Sequence, residues 1–324
     1  MPKAIALFSG GLDSILAAKL IAAQNIEVIG MAFTTPFFDS SKAEASAKNI
    51  NLPLLVEDIT PEYLEMLKAP RYGYGKHMNP CIDCHTLMLK TAGRKMEVMG
   101  ADFIVTGEVL GQRPMSQTKQ SLNLVAKNSG YADYISRPLS AQLLEPIKAE
   151  REGKLNRTKL MSISGRGRKD QMLLAKSFGI IHYPPPAGGC LLTDPMFSRR
   201  LRELLNHSEG REIRDYILLK FGRHFRAEDG AKIIVGRNSQ DNEQLQKLSS
   251  ENDLVCYMAE VPGPYVLVPY GKHSSLKLAC ALCVRYSDAS GDGEASVIFR
   301  QNQKSSVIKS GALPKEDCER IIII

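Results

Sequence analysis

The 324-residue chain has no apolar run long enough to span a bilayer. Its N-terminus also lacks the order of basic, apolar and small-residue regions that defines a signal peptide, because the apolar run 4–8 is short and glycines follow it at once. Internal repeats and low-complexity tracts are missing, and tryptophan is absent, which by itself excludes nothing. These absences predict a cytoplasmic protein with no membrane partner.

A disulfide framework is not expected either. The chain has seven cysteines, an odd number, and the cytoplasm keeps thiols reduced. Metal ligation, sulfur chemistry and simple burial therefore remain open for them. The net charge of +7 permits an anionic partner such as nucleic acid without indicating one. The length is sufficient for two or three domains.

Short apolar runs alternate with helical patterns through the first hundred residues. This order is typical of a parallel sheet that carries helices on its faces. We therefore predict a doubly wound α/β domain over residues 1–205. Its predicted strands are 4–8, 26–33, 52–58 and 102–108, and its predicted helices are 13–24, 42–49 and 86–100.

The pattern changes after residue 205. Residues 212–226 have a helical pattern and lie in a predicted helical linker, 206–228. Short strand-like runs then surround one apolar helical segment, 275–288, which predicts a smaller α+β domain at 229–324. The closing isoleucines predict a last strand edge or a packed tail.

The segment SGGLDS, residues 9–14, joins the first predicted strand to the first predicted helix. Gly10 and Gly11 allow the backbone to approach an anion closely, while the helix N-terminus supplies N–H groups. The segment lacks the Gly-Lys-Ser/Thr ending of a Walker A loop and the G-x-G-x-x-G of a dinucleotide fold. It therefore predicts a phosphate-binding loop that belongs to neither of these two classes. An ordinary glycine-rich turn between a strand and a helix would have the same pattern.

This loop resembles the S-G-G-x-D-S motif of the N-type ATP pyrophosphatases, which adenylate a carbonyl oxygen and release pyrophosphate. The resemblance implies that the protein binds ATP and Mg²⁺, and that Asp13 binds Mg²⁺ or orients the attacked phosphate. A strand that ends at Thr106 and Gly107 adds a second set of ligand contacts at the carboxyl edge of the sheet. The expected ATP-binding residues are Ser9, Gly10, Gly11, Asp13, Ser14, Thr106 and Gly107.

Cys81 and Cys84 form a C-x-x-C pair, which by itself fits a zinc half-site, a redox pair or an accident. The pair lies in NPCIDCH, and GADFIVTG, GRKDQ and GGCLLT follow in that order. These segments resemble, in the same order, segments of the tRNA 2-thiouridylases, and GGCLLT contains the third cysteine, Cys190. The resemblance spans most of residues 1–200 and implies that Asp13, Cys81, Cys84 and Cys190 are catalytic.

Two accounts of these three thiols follow from the resemblance. One thiolate can carry sulfane sulfur while a second resolves the product as a disulfide. Alternatively, the three thiolates hold a [4Fe–4S] cluster whose fourth iron binds sulfide, and the C-x-x-C plus remote cysteine arrangement favours this account. A Cys₃His zinc site that uses His85 is a further alternative.

The C-terminal region resembles the NFACT-R module of RNA-associated proteins over about residues 229–300. The matching features are the segment VGRN, which ends at Asn238, and a later Pro-Gly-Pro turn. A second C-x-x-C, at Cys280 and Cys283, lies in an apolar helical segment, so we expect these cysteines to pack in a core. The candidate RNA contacts of the whole chain are Lys76, Arg113, Arg166, Arg168, Lys169 and Arg237.

Together these features predict an ATP-dependent tRNA uridine sulfurtransferase. Its expected partners are tRNA and either a sulfur donor protein or inorganic sulfide. A sulfur transferase or amidating enzyme that acts on a small molecule is one alternative, and a non-catalytic RNA-binding protein is another. The sequence leaves open the modified uridine, the choice between C2 and C4, and the oligomeric state.

Overall fold

The structure is a computed structural model that describes residues 1–183, 185, 190–207, 212–289 and 293–323. The chain forms two compact units, Met1–Thr193 and Asp194–Ile324. The division at Thr193 lies before the boundary near residue 205 that the sequence suggested. Within the described residues, no helix is both long and apolar enough to cross a membrane.

The first unit is an α/β domain, as the sequence predicted. Its strands and helices alternate, except that two consecutive helices separate the third strand from the fourth and two more helices follow the last strand. In chain order they are β1 (Lys3–Leu7), α1 (Leu12–Ala22), β2 (Glu27–Thr34), α2 (Ser41–Asn49), β3 (Leu54–Asp58), α3 (Thr60–Lys68), α4 (Cys81–Val98), β4 (Phe103–Val105), α5 (Lys119–Ser129), β5 (Ile135–Ser136), α6 (Lys148–Arg151) and α7 (Lys169–Ser177).

The strands of this unit form a parallel sheet in the order β3-β2-β1-β4-β5. Strand β1 lies at its centre, and Ala4, Ile5 and Ala6 are almost completely buried there. A short, continuous apolar run suits this position because helices cover both faces of a parallel sheet. The chain order reverses between β1 and β4, so the loops after these two strands flank the crevice where open α/β sheets bind ligands.

The second unit contains an antiparallel sheet in the order β11-β10-β8-β9-β7-β6. Its elements, in chain order, are α8 (Pro195–Asn206), α9 (Ile213–Leu218), β6 (Arg223–Arg226), β7 (Lys232–Val235), α10 (Ser239–Leu248), β8 (Leu254–Met258), β9 (Val266–Val268), α11 (Leu276–Arg285), β10 (Ala295–Gln301), β11 (Lys304–Ser310) and α12 (Lys315–Ile321). The predicted combination of a doubly wound sheet with a smaller α+β domain is thus confirmed.

Both faces of the central strands of the second sheet are buried. On β7, Ile233 and Val235 join one hydrophobic core, whereas Ile234 joins another. Because successive side chains of a strand point to opposite faces, this alternation shows that apolar groups cover the sheet on both sides. Helix α11 contributes Cys280 and Cys283 to the first of these cores.

The segment 212–226 is not one helix, contrary to the helical pattern of its sequence. Helix α9 ends at Leu218, and Gly222 then adopts a φ of +74°. A Cβ atom at this glycine would lie 2.7 Å from the carbonyl oxygen of Val235, so the chain needs glycine to turn here. The residues that follow form β6, which pairs with β7 and makes this stretch part of the second unit.

Candidate functional site

The loop between β1 and α1 holds its backbone in a shape that requires glycine. Gly10 has a φ of +71°, and a Cβ atom there would lie 2.4 Å from the carbonyl oxygen of Lys42. The hydroxyl of Ser46 donates a hydrogen bond to the carbonyl of Gly10 at 2.9 Å, and Ser14 donates to the carbonyl of Gly11 at 2.8 Å. These bonds orient the loop at the N-terminus of α1.

The first turn of α1 is available to an anion. No side chain among the described residues caps this helix at Gly11, and the Ser9 hydroxyl lies 3.4 Å from both the Gly11 nitrogen and the Ser14 hydroxyl. The first N–H groups of a helix have no partner within the helix, and the helix dipole favours negative charge beside them. The loop therefore has the features of a phosphate-binding turn.

Asp13 presents one carboxylate oxygen that has no partner. Its Oδ2 accepts a hydrogen bond from Nε2 of Gln112 at 2.9 Å, whereas its Oδ1 is buried without a hydrogen bond among the described residues. Gln171, a fully buried residue of α7, donates in turn to Oε1 of Gln112 at 3.5 Å. A carboxylate oxygen held in this way is a suitable ligand for Mg²⁺, which prefers hard oxygen donors.

The end of β4 packs against this loop. A Cβ atom at Gly107 would lie 2.6 Å from the backbone nitrogen of Ser14, so glycine allows the two segments to approach. Thr106 is buried, and its hydroxyl donates to Oε2 of Glu108 at 3.1 Å. The residues that the sequence assigned to ATP from the first and fourth strands thus lie side by side at the carboxyl edge of the sheet.

The three cysteines that the sequence singled out lie near one another. Cys81 and Cys84 lie in the first turn of α4, three residues apart and therefore on one face of the helix. Electrostatic interactions connect Cys190 with Cys81 and with Cys84. All three thiols also affect the pKa of the buried Tyr63 phenol, so the four side chains are neighbours. The Tyr63 hydroxyl also interacts with the Cys84 thiol. The four groups form what we call the thiol cluster: Tyr63, Cys81, Cys84 and Cys190.

Burial controls the protonation of this cluster. It raises the pKa of the Cys84 thiol to about 12, although the hydrogen bond from Tyr63 opposes this change. Burial likewise raises the pKa of Cys190, while N–H groups of its own short turn lower it. Burial also raises the pKa of Tyr63 well above its ordinary value, and Cys84 adds to the effect. Cys84 is therefore a protonated thiol at neutral pH.

The thiol cluster has the donor chemistry of a metal centre but not the arrangement of one. Three cysteine sulfurs are the usual ligands of a [4Fe–4S] cluster that keeps one iron open. Within the parts of the chain that the structure describes, however, no group of three or more His, Cys, Asp or Glu side chains is arranged to hold a metal ion. The described side chains thus form no site for a single metal ion, and we derive no reaction step through a metal.

A buried charge network connects the cysteine helix to β4. Nδ1 of His85, the residue after Cys84, lies 3.0 Å from Oε1 of Glu108. Oε2 of Glu108 accepts a hydrogen bond from Nε of Arg137 at 2.9 Å. Burial raises the pKa of Glu108, but Arg137 and His85 outweigh it and bring that pKa to about 2, so the carboxylate is charged. Residues 106–108 consequently contact both the phosphate-binding loop and the start of the cysteine helix.

The candidate RNA contacts occupy exposed positions in both units. Arg168 alone is half-buried, and its Nε has no partner among the described residues. Arg237, in the second unit, pairs through Nε with Oδ2 of Asp241 at 2.6 Å. The loop before Cys190 falls largely outside the described residues, including Gly188 and Gly189 of the GGCLLT segment. The exposed candidates are Lys76, Arg113, Arg166, Lys169 and Arg237.

The remaining cysteines lie in the core of the second unit. Cys256, Cys280 and Cys283 are no more than 1% exposed, and the Cys280 thiol donates to the Cys256 sulfur at 3.8 Å. Cys318 is also buried. This agrees with the packing role that the apolar surroundings of the second C-x-x-C suggested, and it separates these cysteines chemically from the thiol cluster.

Several residues of the site could not have been chosen from the sequence. Tyr63 lies on α3, a helix that we did not predict, and Gln112 follows β4 in an irregular segment. Glu108 and Arg137 are common residue types in no recognisable motif. Of these residues, only Gln171 could have been selected from the sequence, because it ends the GRKDQ segment that resembles a segment of the thiouridylases.

The two units of the chain match two different families of known proteins. Residues 1–147 match the family described as thiamine biosynthesis protein (ThiI), and residues 222–322 match the NFACT protein RNA binding domain. Most of each unit of the chain is thus similar to a known family. Its first unit is accordingly called the ThiI-like unit below, and its second the NFACT-R unit.

Curated relatives match parts of the ThiI-like unit. The tRNA-specific 2-thiouridylase MnmA of Helicobacter hepaticus is 31% identical over 169 residues, which cover 45% of this chain and 48% of the relative. A probable tRNA sulfurtransferase of Thermococcus kodakarensis is 30% identical over 146 residues, which cover 42% of this chain and 36% of the relative. The chain thus spans about half the length of these relatives, or less.

Among solved structures, a 4-thiouridine synthetase–RNA complex with bound ATP aligns with 55% of this chain and 52% of its own. The identity is 20% and the TM-score is 0.34, a likeness too weak to support a conclusion about this chain.

Proposed function

We propose that the protein is an ATP-dependent tRNA uridine sulfurtransferase. The observation that carries the proposal is the approach of Cys190 to Cys81 and Cys84, although about a hundred residues separate them in the chain. This thiol cluster belongs to the same unit as the phosphate-binding loop, and residues 106–108 contact both. A sulfur source beside a nucleotide site is what such a reaction requires.

The first step uses the phosphate-binding loop. A uridine carbonyl oxygen attacks the α-phosphorus of ATP, and pyrophosphate leaves with the electron pair of the broken bond. The N-terminus of α1, Gly10 and Gly11 stabilise the departing charge, while the free oxygen of Asp13 binds Mg²⁺. Ser9, Ser14, Thr106 and Gly107 complete the ATP site. The product is a base that carries AMP on its oxygen.

The second step replaces that oxygen by sulfur. In the persulfide form of the reaction, the outer sulfur of a cysteine persulfide attacks the adenylated carbon, and AMP leaves. A second thiolate then attacks the cysteine sulfur, which releases the thiolated base and forms a disulfide that a dithiol must reduce. Cys81, Cys84 and Cys190 supply these groups. A sulfur donor protein that carries sulfane sulfur transfers it to the reduced cysteine and regenerates the persulfide. Alternatively, inorganic sulfide takes the place of the dithiol: it attacks the disulfide, which breaks the S–S bond and gives one persulfide and one thiolate.

A [4Fe–4S] cluster on the same three thiols is the other form of sulfur delivery, and a zinc site that includes His85 is a third. Iron and zinc measurements on anaerobically purified protein distinguish these forms. About four iron atoms per chain would support the cluster, about one zinc the zinc site, and neither metal the persulfide form.

The NFACT-R unit supports RNA as the substrate. Its match to an RNA binding domain covers residues 222–322, a stretch that includes the exposed Arg237. We propose that this unit and the exposed cations of the ThiI-like unit bind tRNA phosphates, an interaction that salt should weaken. Such a substrate would place the protein in the cytoplasm.

The decisive experiment incubates purified protein with ATP, Mg²⁺, sulfide and unmodified tRNA. Nucleoside mass spectrometry then measures 2-thiouridine and 4-thiouridine, and a coupled assay measures pyrophosphate. Wild-type protein should form one thiolated nucleoside. Cys190→Ala should form none while it still releases pyrophosphate, and Cys283→Ala, a control in the core of the NFACT-R unit, should retain thiolation.

Three results would contradict the proposal. Full thiolation by Cys190→Ala would remove the thiol cluster from the reaction. Pyrophosphate release that does not respond to tRNA, with no thiolated nucleoside formed, would instead indicate an enzyme that acts on a small molecule. If neither pyrophosphate nor a thiolated nucleoside appears, the chain is an RNA-binding protein without this activity.

A further inference from the structure

The loop between α3 and α4 is tied to the thiol cluster at both ends. We call residues 70–79 the tyrosine loop. The carboxylate of Asp83, which lies between Cys81 and Cys84, accepts N–H bonds from Arg71 at 3.1 Å and Tyr72 at 3.0 Å. These bonds fix the start of the tyrosine loop relative to the cysteine helix.

The far end of the tyrosine loop is held by Asn79. Its Oδ1 accepts the N–H of His77 at 3.2 Å, and its Nδ2 donates to the sulfur of Cys81 at 3.2 Å. The backbone N–H of Gly75 also donates to the carbonyl of Asn79 at 2.9 Å. The loop is thus held to the cysteine helix at both ends.

Within this loop, Tyr72 presents a fixed aromatic ring to solvent. Its residue is 38% exposed, yet its phenol oxygen accepts a hydrogen bond from Nδ2 of Asn128, on α5, at 3.0 Å. At the other end of the residue, the backbone N–H of Tyr72 donates a hydrogen bond to the carboxylate of Asp83. The guanidinium carbon of Arg71 lies 5.5 Å from the ring centroid. The ring is therefore anchored at two points and accompanied by a cation.

Charge around the ring suits an anionic polymer. Arg71 and Lys76 are exposed, and the carboxylate of Asp83 is already occupied by two backbone N–H groups. A rigid exposed ring with adjacent cations is the combination by which proteins stack single-stranded bases and hold the phosphates beside them. The guanidinium plane can add to the stacking surface.

We propose that Tyr72 and Arg71 form a stacking platform for the unpaired base that neighbours the modified uridine. This inference rests on the proposed function. A uridine that reaches a sulfur must leave its own stack, which costs free energy and exposes the face of the next base. The Tyr72 ring covers that face, and the bonds from Asp83 and Asn79 set the distance between the platform and the thiols.

The test compares three substitutions at one position. Tyr72→Phe keeps the ring and loses only the bond to Asn128, so its affinity for unmodified tRNA should stay within about threefold of wild type. Tyr72→Leu keeps apolar bulk but has no aromatic face, so its dissociation constant should rise by about 5- to 150-fold. Tyr72→Trp should bind at least as tightly as wild type. Filter binding at one fixed salt concentration measures all of these.

Two further measurements separate stacking from a structural effect. The Leu substitution should weaken binding of single-stranded RNA but leave binding of a perfect RNA duplex within about twofold of wild type, because a duplex offers no free base face. Tyr134, which has Lys148 5.5 Å from its ring centroid, provides a control, and Tyr134→Leu should bind both RNAs normally.

Equal affinity of Tyr72→Leu and wild type for tRNA would overturn the platform, as would equal losses in the Phe and Leu variants. Should Tyr72→Leu fail to fold, Arg71→Gln tests the same surface and should weaken single-stranded binding selectively. Failure of the platform and failure of the proposed function give different results. Failure of that function appears as absence of thiolated nucleoside with the wild-type protein, whereas failure of the platform appears in the Tyr72 affinities.

Discussion

Nδ1 of His85 lies 3.0 Å from Oε1 of Glu108, and this contact joins the helix that carries Cys81 and Cys84 to the strand that packs on the phosphate-binding loop. Glu108 and its second partner, Arg137, are each 7% exposed. The junction between the two halves of the proposed active site is therefore a buried, charged network. Its contacts hold the start of the cysteine helix next to the end of β4.

Replacement of this carboxylate should destabilise the ThiI-like unit. Glu108→Gln leaves the buried guanidinium of Arg137 without a compensating charge, a change that costs about 3–5 kcal/mol. For a unit of this size the melting temperature should fall by about 6–20 °C. Glu57→Gln removes a half-exposed partner of Lys95 and should cost at most about 1 kcal/mol. Differential scanning calorimetry measures both.

The same variant has a predictable pH dependence. The pKa of Glu108 is about 2 in the folded protein and ordinarily 4.5, so the unfolded chain binds the proton more tightly. The stabilisation is fully present above the ordinary pKa and is lost as the pH falls through the folded value. The difference between wild type and Glu108→Gln should thus shrink from pH 4.5 toward pH 2. A difference that stays constant over this range would show that Glu108 does not act through its charge.

Asp13→Asn should lower pyrophosphate release without unfolding the protein. The amide keeps the shape of the side chain but removes the charge from the oxygen that we assign to Mg²⁺, and loss of such electrostatic stabilisation costs about 10²-fold or more in rate. Asp133→Asn, a matched change at an exposed carboxylate paired with Arg151, should retain the wild-type rate. Normal pyrophosphate release by Asp13→Asn would exclude Asp13 from the ATP site.

Gly107→Ala should damage the contact between β4 and the phosphate-binding loop. The new methyl group would lie 2.6 Å from the Ser14 nitrogen, and backbone on both sides leaves little room to adjust. We expect a loss of about 1–3 kcal/mol and weaker ATP binding, measured by chemical denaturation and calorimetric titration. Gly167→Ala introduces a methyl group with no neighbour within 4 Å and serves as the control. Equal stability and ATP affinity in both variants would contradict the contact.

Cys84 should react slowly with iodoacetamide in the folded protein. Only the thiolate is nucleophilic, and with a pKa of about 12 about one thiol in 10⁴ is ionised at pH 8. The labelling rate should rise about tenfold for each pH unit while the protein stays folded, and denaturation should abolish the protection. Peptide mass spectrometry after acid quench gives the rate at this residue. Labelling at the rate of a free cysteine would show that the surroundings of Cys84 do not raise the pKa of its thiol.

Local sequence predicted the loop of Asp13 and the helix that begins at Cys81, but not α3, which carries Tyr63. The turn at Gly10 and Gly11 follows from a requirement for close backbone approach, and strand–helix alternation follows from burial of a parallel sheet on both faces. Helix α3 and strand β6 were missed. Strand β6 begins after Gly222 in a segment whose helical periodicity continues past the true end of α9.

The partners of the site residues were decided by tertiary structure alone. Gln112 meets Asp13, Tyr63 meets Cys84, and Glu108 meets His85, each across 20 or more residues of chain. Such contacts depend on which loops converge at the carboxyl edge of the sheet and on which helix covers them. A sequence specifies its turns and amphipathic faces through interactions between near neighbours, whereas contacts between distant side chains exist only after the packed core has brought their backbones together.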